Sequence, residues 1–114
     1  MHEYSIVQAL LQQCEQHAEA NSAEKVTKVV VKIGVLSGVE PHLLQTAFDT
    51  FKEETPVCAN ATLEIIHQKV VIHCHECQQE FTLEKHEYAC PSCSGNSVKI
   101  IDGEDLLLMQ LEME

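Results

Sequence analysis

The sequence predicts an α+β fold in two lobes: two helices on a three-stranded sheet, with a small β lobe inserted ahead of the last strand. Three observations carry this. Apolar residues recur at helical spacing in two segments of the first half, with a β-branched alternating run between them. Two Cys-x-x-Cys pairs stand in the second half, Cys74/Cys77 and Cys90/Cys93. After them comes one more alternating apolar strand, which the cysteine region has too few apolar residues to cover.

Over residues 4–21, Ile6, Val7, Leu10, Leu11, Cys14 and Ala18 recur with helical period, while Gln8, Gln12, Gln13, Glu15 and Glu19 fill the other face; Ser5 is the expected cap. From 25 to 36 the period becomes two. Val29, Val31, Ile33 and Val35 share one face, and Lys28, Lys32 and Gly34 the other. Ser37-Gly38 breaks this strand. Glu40-Pro41 opens a second helix with proline in its first turn, and Leu43, Leu44, Ala47, Phe48 and Phe51 form its apolar stripe up to Lys52-Glu53-Glu54. Residues 62–73 read as extended, with a bend near His67-Gln68. Short strands follow at 80–83 and 98–101, the latter ended by Asp102-Gly103. In the final strand Leu107, Met109, Leu111 and Met113 alternate with Leu108, Gln110 and Glu112, which predicts one apolar face returning to the first sheet. The lobes are therefore expected at 1–69 plus 106–114, and at 70–105.

A chain of 114 residues buries only about two-thirds of its unfolded surface, so a metal staple would help its modest core. Seven Lys and Arg against eighteen Asp and Glu leave a net charge of −11. Phosphate backbones and anionic membranes repel that balance, which argues against nucleic-acid and membrane partners. No stretch is long and apolar enough to cross a bilayer, and the first residues lack the basic region of a signal peptide, so a cytosolic protein is expected.

Cys74-His75-Glu76-Cys77 and Cys90-Pro91-Ser92-Cys93 are separated by twelve residues. Two residues between thiolates form a tight knuckle, and two knuckles make a tetrahedral site of four sulfurs, closed to water and substrate. Zinc suits it, having no geometric preference of its own and no redox chemistry. A rubredoxin-like iron site, a redox Cys-x-x-Cys pair and four unrelated thiols are the competing readings. His73, His75 and His86 flank the cysteines, either as solvated residues or as ligands that exchange with a thiolate.

Met1-His2-Glu3 offers an α-amine, an imidazole and amide nitrogens that can chelate one cation, and nickel(II) favours such nitrogen donors. On chemistry alone, an ordinary frayed end is the more economical reading. His17, His42 and His67 lie in separate segments with no ligand spacing and read as solvated. Cys14 reads as a small core residue, and Cys58 as a free thiol in a loop. No nucleophile–base pairing, open metal site or phosphate-cradling loop suggests an enzyme.

The combination of Met1-His2-Glu3, the strand with Lys32-Ile33-Gly34, then Ser37 and Glu40, and the two cysteine pairs resembles the HypA/HybF family across the whole chain. These are nickel metallochaperones of [NiFe]-hydrogenase maturation. The resemblance implies His2 as the principal Ni2+ ligand, helped by the Met1 amine and the backbone nitrogens of His2 and Glu3, with Glu40 as a nearby carboxylate. It implies Zn2+ on Cys74, Cys77, Cys90 and Cys93. It further implies a HypB-type GTPase partner, a [NiFe]-hydrogenase large-subunit client and, in some organisms, traffic toward urease and its accessory proteins. A homodimer stays open. The alternative is a zinc-ribbon protein-interaction module that delivers no nickel.

Overall fold

A computed structural model describes residues 2–84 and 88–114. Its elements are α1 (His2–Ala20), β1 (Val26–Gly34), α2 (Pro41–Phe51), two 3-10 turns (Lys52–Glu54 and Pro56–Cys58), β2 (Thr62–Gln68), β3 (Val70–Cys74), β4 (Gln79–Leu83), β5 (Val98–Asp102) and β6 (Leu106–Met113). They form two three-stranded sheets, ordered β2-β1-β6 and β4-β3-β5.

The stripe Val7, Leu10, Leu11, Cys14 and Ala18 buries α1 against the first sheet. The helix starts at His2, so Ser5 lies inside it and not at its cap as expected. The other end closes with Ser22 in the left-handed region at φ 54°. Ala23 N donates to Ala18 O at 2.8 Å and Ser22 N to Glu19 O at 3.2 Å, the paired bonds of a Schellman ending. Glu40 caps α2: its carboxylate accepts from His42 N (3.2 Å) and Leu43 N (2.8 Å), and Pro41 follows where a missing N–H costs nothing.

β1 is the central strand, parallel to β2 and antiparallel to β6. Parallel neighbours need a crossover, and α2 with the 3-10 turns supplies it. Val29, Val31 and Ile33 enter the core with Leu44, Phe48 and Leu63. Val35 lies past the end of β1 and is exposed. Cys58 is fully buried beside Cys14 in the same core and is no loop thiol.

The last strand does return to the first sheet, but its inward face differs from the alternation read in the sequence. Register slips between Val30 and Val31, where Val30 faces Gln110 and Val31 faces Leu108. Met109 is the extra residue of a bulge, and a bulge inverts the phase of everything beyond it. Leu106, Leu108, Leu111 and Met113 pack on the core, while Leu107 and Met109 are exposed.

The second sheet is antiparallel, and among the described residues its core is Val70, Ile72 and Leu83, edged by Leu36, Phe81, Val98 and Ile100. Leu36 comes from the segment that leaves β1, so the chain just past the first sheet contributes to the second core. The junction is tightly bonded. Gly34 N donates to Asp105 O (2.9 Å), Val35 N to Gln68 O (2.9 Å) and Leu36 N to Gly103 O (2.8 Å). Lys32 Nζ pairs with Asp102 at 2.9 Å.

Candidate metal centre

The β3–β4 hairpin builds the first knuckle. Cys74 ends β3 and Cys77 sits in the turn, closed by Gln78 N donating to Cys74 O at 2.8 Å with Gln78 at φ 55°. Cys77 N points at Cys74 Sγ, 3.5 Å away. The second knuckle repeats the plan. Ser92 N and Cys93 N each lie 3.4 Å from Cys90 Sγ, Ser94 N donates to Cys90 O at 2.9 Å, and Ser94 takes φ 59°. His75 N donates to Ser97 O at 2.9 Å, tying the first knuckle to the strand that follows the second.

The four sulfurs all lie within 4.8 Å of one another. Cys74 and Cys93 Sγ are 3.7 Å apart, as are Cys77 and Cys90 Sγ. A tetrahedron of sulfurs about 2.3 Å from a central zinc has edges of about 3.8 Å. A disulfide would bring two sulfurs to about 2.05 Å. The donor set therefore fits a tetrahedral thiophilic ion and no pairwise bridge. Cys74 and Cys90 are buried, Cys77 half-buried and Cys93 exposed.

The thiols divide electrostatically. Burial opposes ionisation of Cys90, yet the N–H groups of Cys93 and Ser92, with the thiols of Cys93 and Cys74, hold it at about 7. Cys77 is pushed up to about 12, foremost by the neighbouring Cys93 and Cys90 thiols. At Cys93 the Gly95 N–H favours the thiolate, but the crowding by Cys90 and by Cys74 prevails and the thiol is raised. One thiolate forms readily and its neighbours resist, a conflict that a bound dication removes.

Two residues here escaped sequence reasoning. Glu76 Oε2 lies 3.7 Å from Cys93 Sγ. Gly95 is held so close that a Cβ there would stand 3.0 Å from Glu76 Oε2 and 3.2 Å from Cys93 Sγ. The only signal for either was its place in or just after a Cys-x-x-Cys pair. His73 and His75 pack ring to ring, 5.5 Å between centroids at 77°, and neither joins the group of converging donors. His86 lies outside the described residues.

At the amino terminus, Met1 and the side chain of His2 also lie outside the described residues. Glu3 is half-buried in the first turn of α1. The Tyr4 ring stands 4.5 Å from that of Phe51, the last residue of α2. Glu40 caps the opposite end of that 11-residue helix, about 16 Å further along its axis. The structure thus unites the four cysteines, while Glu40 sits a helix length from the ring on which Tyr4 packs. His42 and His67, which sequence spacing had left apart, both line one open surface depression with Glu40.

Comparison with known proteins agrees along the whole chain. The family model for hydrogenase/urease nickel incorporation, metallochaperone, hypA matches residues 1–113. The hydrogenase maturation factor HypA of Shewanella baltica (strain OS195) is 58% identical over 114 residues, covering 100% of this chain and 97% of the relative. That of Aquifex aeolicus is 51% identical, covering 100% and 98%. In three dimensions, the solution structure of the Ni metallochaperone HypA from Helicobacter pylori matches with a TM-score of 0.70 at 40% identity, over 97% of this chain and 96% of that one. A second solution structure of HypA protein matches with a TM-score of 0.77 at 41% identity, over 100% and 97%. With its helices, two small sheets and four-cysteine group, this chain belongs to the HypA family of hydrogenase maturation factors and nickel metallochaperones.

Proposed function

We propose that this protein binds Ni2+ at its amino-terminal residues and delivers it for [NiFe]-hydrogenase maturation, while Cys74, Cys77, Cys90 and Cys93 hold a structural Zn2+. Family membership over residues 1–113 is the observation that carries the reading. The zinc assignment has separate support in sulfur–sulfur edges of 3.7 Å, which suit a tetrahedral ion. Zinc, when bound, orders the second lobe and neutralises its crowded thiolates. This chain's backbone does the rest: the N–H groups of Cys77, Ser92 and Cys93 aim at Cys74 and Cys90 and orient them.

The two metal sites divide the labour. A closed set of four thiolates exchanges slowly, as a structural site should. Delivery needs a set that releases its cargo, and His2 with the Met1 amine and the amides of His2 and Glu3 would be such a set. In this reading the amine serves only in a protein that starts at Met1. Glu40 would add a carboxylate if the first residues reach its end of α2. The lobes divide as residues 1–69 with 106–114, and 70–105. The partners are a HypB-type GTPase and the hydrogenase large subunit, with urease accessory proteins as a further route, in the cytoplasm. The protein itself catalyses nothing.

Calorimetric titration of nickel into the untagged protein tests this, beside His2→Ala and a variant extended ahead of Met1. Both changes should abolish stoichiometric nickel uptake while one zinc per chain remains. Undiminished nickel affinity in either variant refutes the terminal site. No nickel uptake by the untagged protein would favour an interaction module organised by zinc.

A further inference from the structure

We infer that the open edge of β6, with the apolar crevice between it and α1, docks an extended, lysine- or arginine-bearing segment of a partner protein by strand addition. β6 ends the order β2-β1-β6, and among the described residues no strand pairs with its outer side. A free edge offers a row of backbone donors and acceptors to any chain that can align with it. Along this edge run two depressions that meet at Leu108, one reaching toward Leu106 and one toward Met113. Ile6, Ala9, Leu10, Gln13 and His17 form their α1 wall. None of the residues assigned to either metal lines them.

The sheet is less well covered on this side than on the other. Leu106, Leu108, Leu111 and Met113 face the core yet stay only half-buried, and Leu107 and Met109 are 45% and 51% exposed. At the opposite edge of the same sheet, β2 seals Leu63 at 4% exposure. A strand added beside β6 covers the half-buried row with its own alternate side chains. Strand addition draws affinity from backbone bonds and selectivity from such side chains.

Charge selects the occupant. Residues 106–111 carry no charge, and acids stand at both ends of the strand: Glu104 and Asp105 before it, Glu112 and Glu114 after. The strand already paired with β6 shows what such ends accept. Lys25 Nζ lies 3.0 Å from Glu114 and Lys28 Nζ 3.7 Å from Glu112. The carboxylates of Glu104 and Asp105 have no partner among the described residues. A second copy of this chain matches the apolar row but not the charges. With Leu106 opposite Met113 in an antiparallel pair of β6 strands, Asp105 faces Glu114, and like charges directly opposite destabilise a sheet. Each copy also brings a net charge of −11. A segment with apolar alternation and basic ends satisfies both features of the edge.

Nuclear magnetic resonance of zinc-loaded, full-length protein tests this with a synthetic peptide of the sequence of residues 25–32, which carries three lysines and four valines. No nickel is present, so the result is independent of the terminal site. A second peptide has proline in place of Val29 and Val30; it keeps every lysine but loses backbone donors on both of its edges. The first peptide should shift the amides of β6 and of α1 residues 6–17, and slow the exchange of those β6 amides that do not bond to β1. It should leave β2 unmoved, and the proline peptide should do neither. Leu107→Lys/Met109→Lys changes two side chains already exposed in the free protein and should weaken binding about tenfold or more, by setting like charge in the crevice. Glu15→Gln/Glu19→Gln makes the same change in net charge on the far face of α1, where solvent and salt screen it, and should leave affinity within about twofold. Absence of binding, equal binding of the proline peptide, or shifts that fall on β2 as much as on β6 refute the proposal. So does a dimer of the free protein that Leu107→Lys/Met109→Lys dissolves, because the edge then belongs to a second copy.

Discussion

Gly34 and Gly103 make the junction between the lobes, and a single methyl group tests how much depends on it. A Cβ on Gly34 would overlap the carbonyl carbon and oxygen of Gly103 and come within 2.8 Å of Glu104 N. All three obstacles are backbone, and that backbone is already engaged: Gly103 O accepts from Leu36 N, and Asp105 O accepts from Gly34 N. Relief requires β1 and the β5–β6 turn to part by about an ångström, weakening both bonds. Gly103 cannot yield easily, since it sits at φ 104° with its own Cβ position 2.9 Å from Val70 Cα. Overpacking a well-packed site costs about 1–3 kcal/mol, and a backbone obstacle belongs at the upper end. With an unfolding entropy of about 2.1 cal/mol/K per residue, 114 residues give about 4 °C in Tm per kcal/mol. Gly34→Ala should thus lower Tm by about 12 °C, measured by calorimetry on zinc-loaded protein. Gly38→Ala is the control. Gly38 has φ 79° but nothing within 4 Å of a Cβ, so only the left-handed backbone cost of about 1 kcal/mol applies, or about 4 °C. A Gly34→Ala protein that melts with the wild type, or above Gly38→Ala, refutes the close-packed junction.

Two further outcomes follow from the bonding around the junction and the α2 cap. Lys32 beside Asp102, helped by the Gly103 N–H, holds the Asp102 carboxyl below its usual range. A carboxylate lowered on folding adds stability above its unfolded value, near 3.8, and loses it as pH falls through the folded value. Asp102→Asn should therefore melt below the wild type at pH 7, with the gap closing under acid below about pH 4; a gap independent of pH would remove the ion pair from the account. Glu40→Ala removes the cap and should cost about 1 kcal/mol of stability, whereas Glu40→Gln keeps an acceptor oxygen and most of that stability. If Glu40 also contacts nickel, the Gln variant binds nickel more weakly while melting near the wild type. Equal melting of the Ala variant and the wild type would show that the cap contributes nothing.

Several elements were legible because their causes are local. The stripes of α1 and α2 and the period-two run of β1 follow from which side chains must leave water. The four cysteines were legible for the same reason: two residues between thiolates make a knuckle whatever surrounds it. Even the break at His67-Gln68 was visible as the end of a β-branched run. Ser5 misled as a cap because capping preference is a weak local term, and helical hydrogen bonding simply continued upstream to His2. The face of β6 misled for a different reason. Leu107 and Met109 continue a regular alternation in the sequence, but the bulge opposite Val30 and Val31 belongs to the pairing of two strands and has no mark in either one alone.

What the sequence determined by itself was the set of elements, the insertion of a cysteine lobe between strands of the first sheet, and the four donors of the metal centre. Each rests on periodicity or on spacing within a few residues. Tertiary structure alone decided the contact of Gly34 with Gly103, the Lys32–Asp102 pair across 70 residues, and the burial of Cys58 beside Cys14. Those contacts depend on strand register and on how helices cross the sheet, which are set by packing the whole core at once.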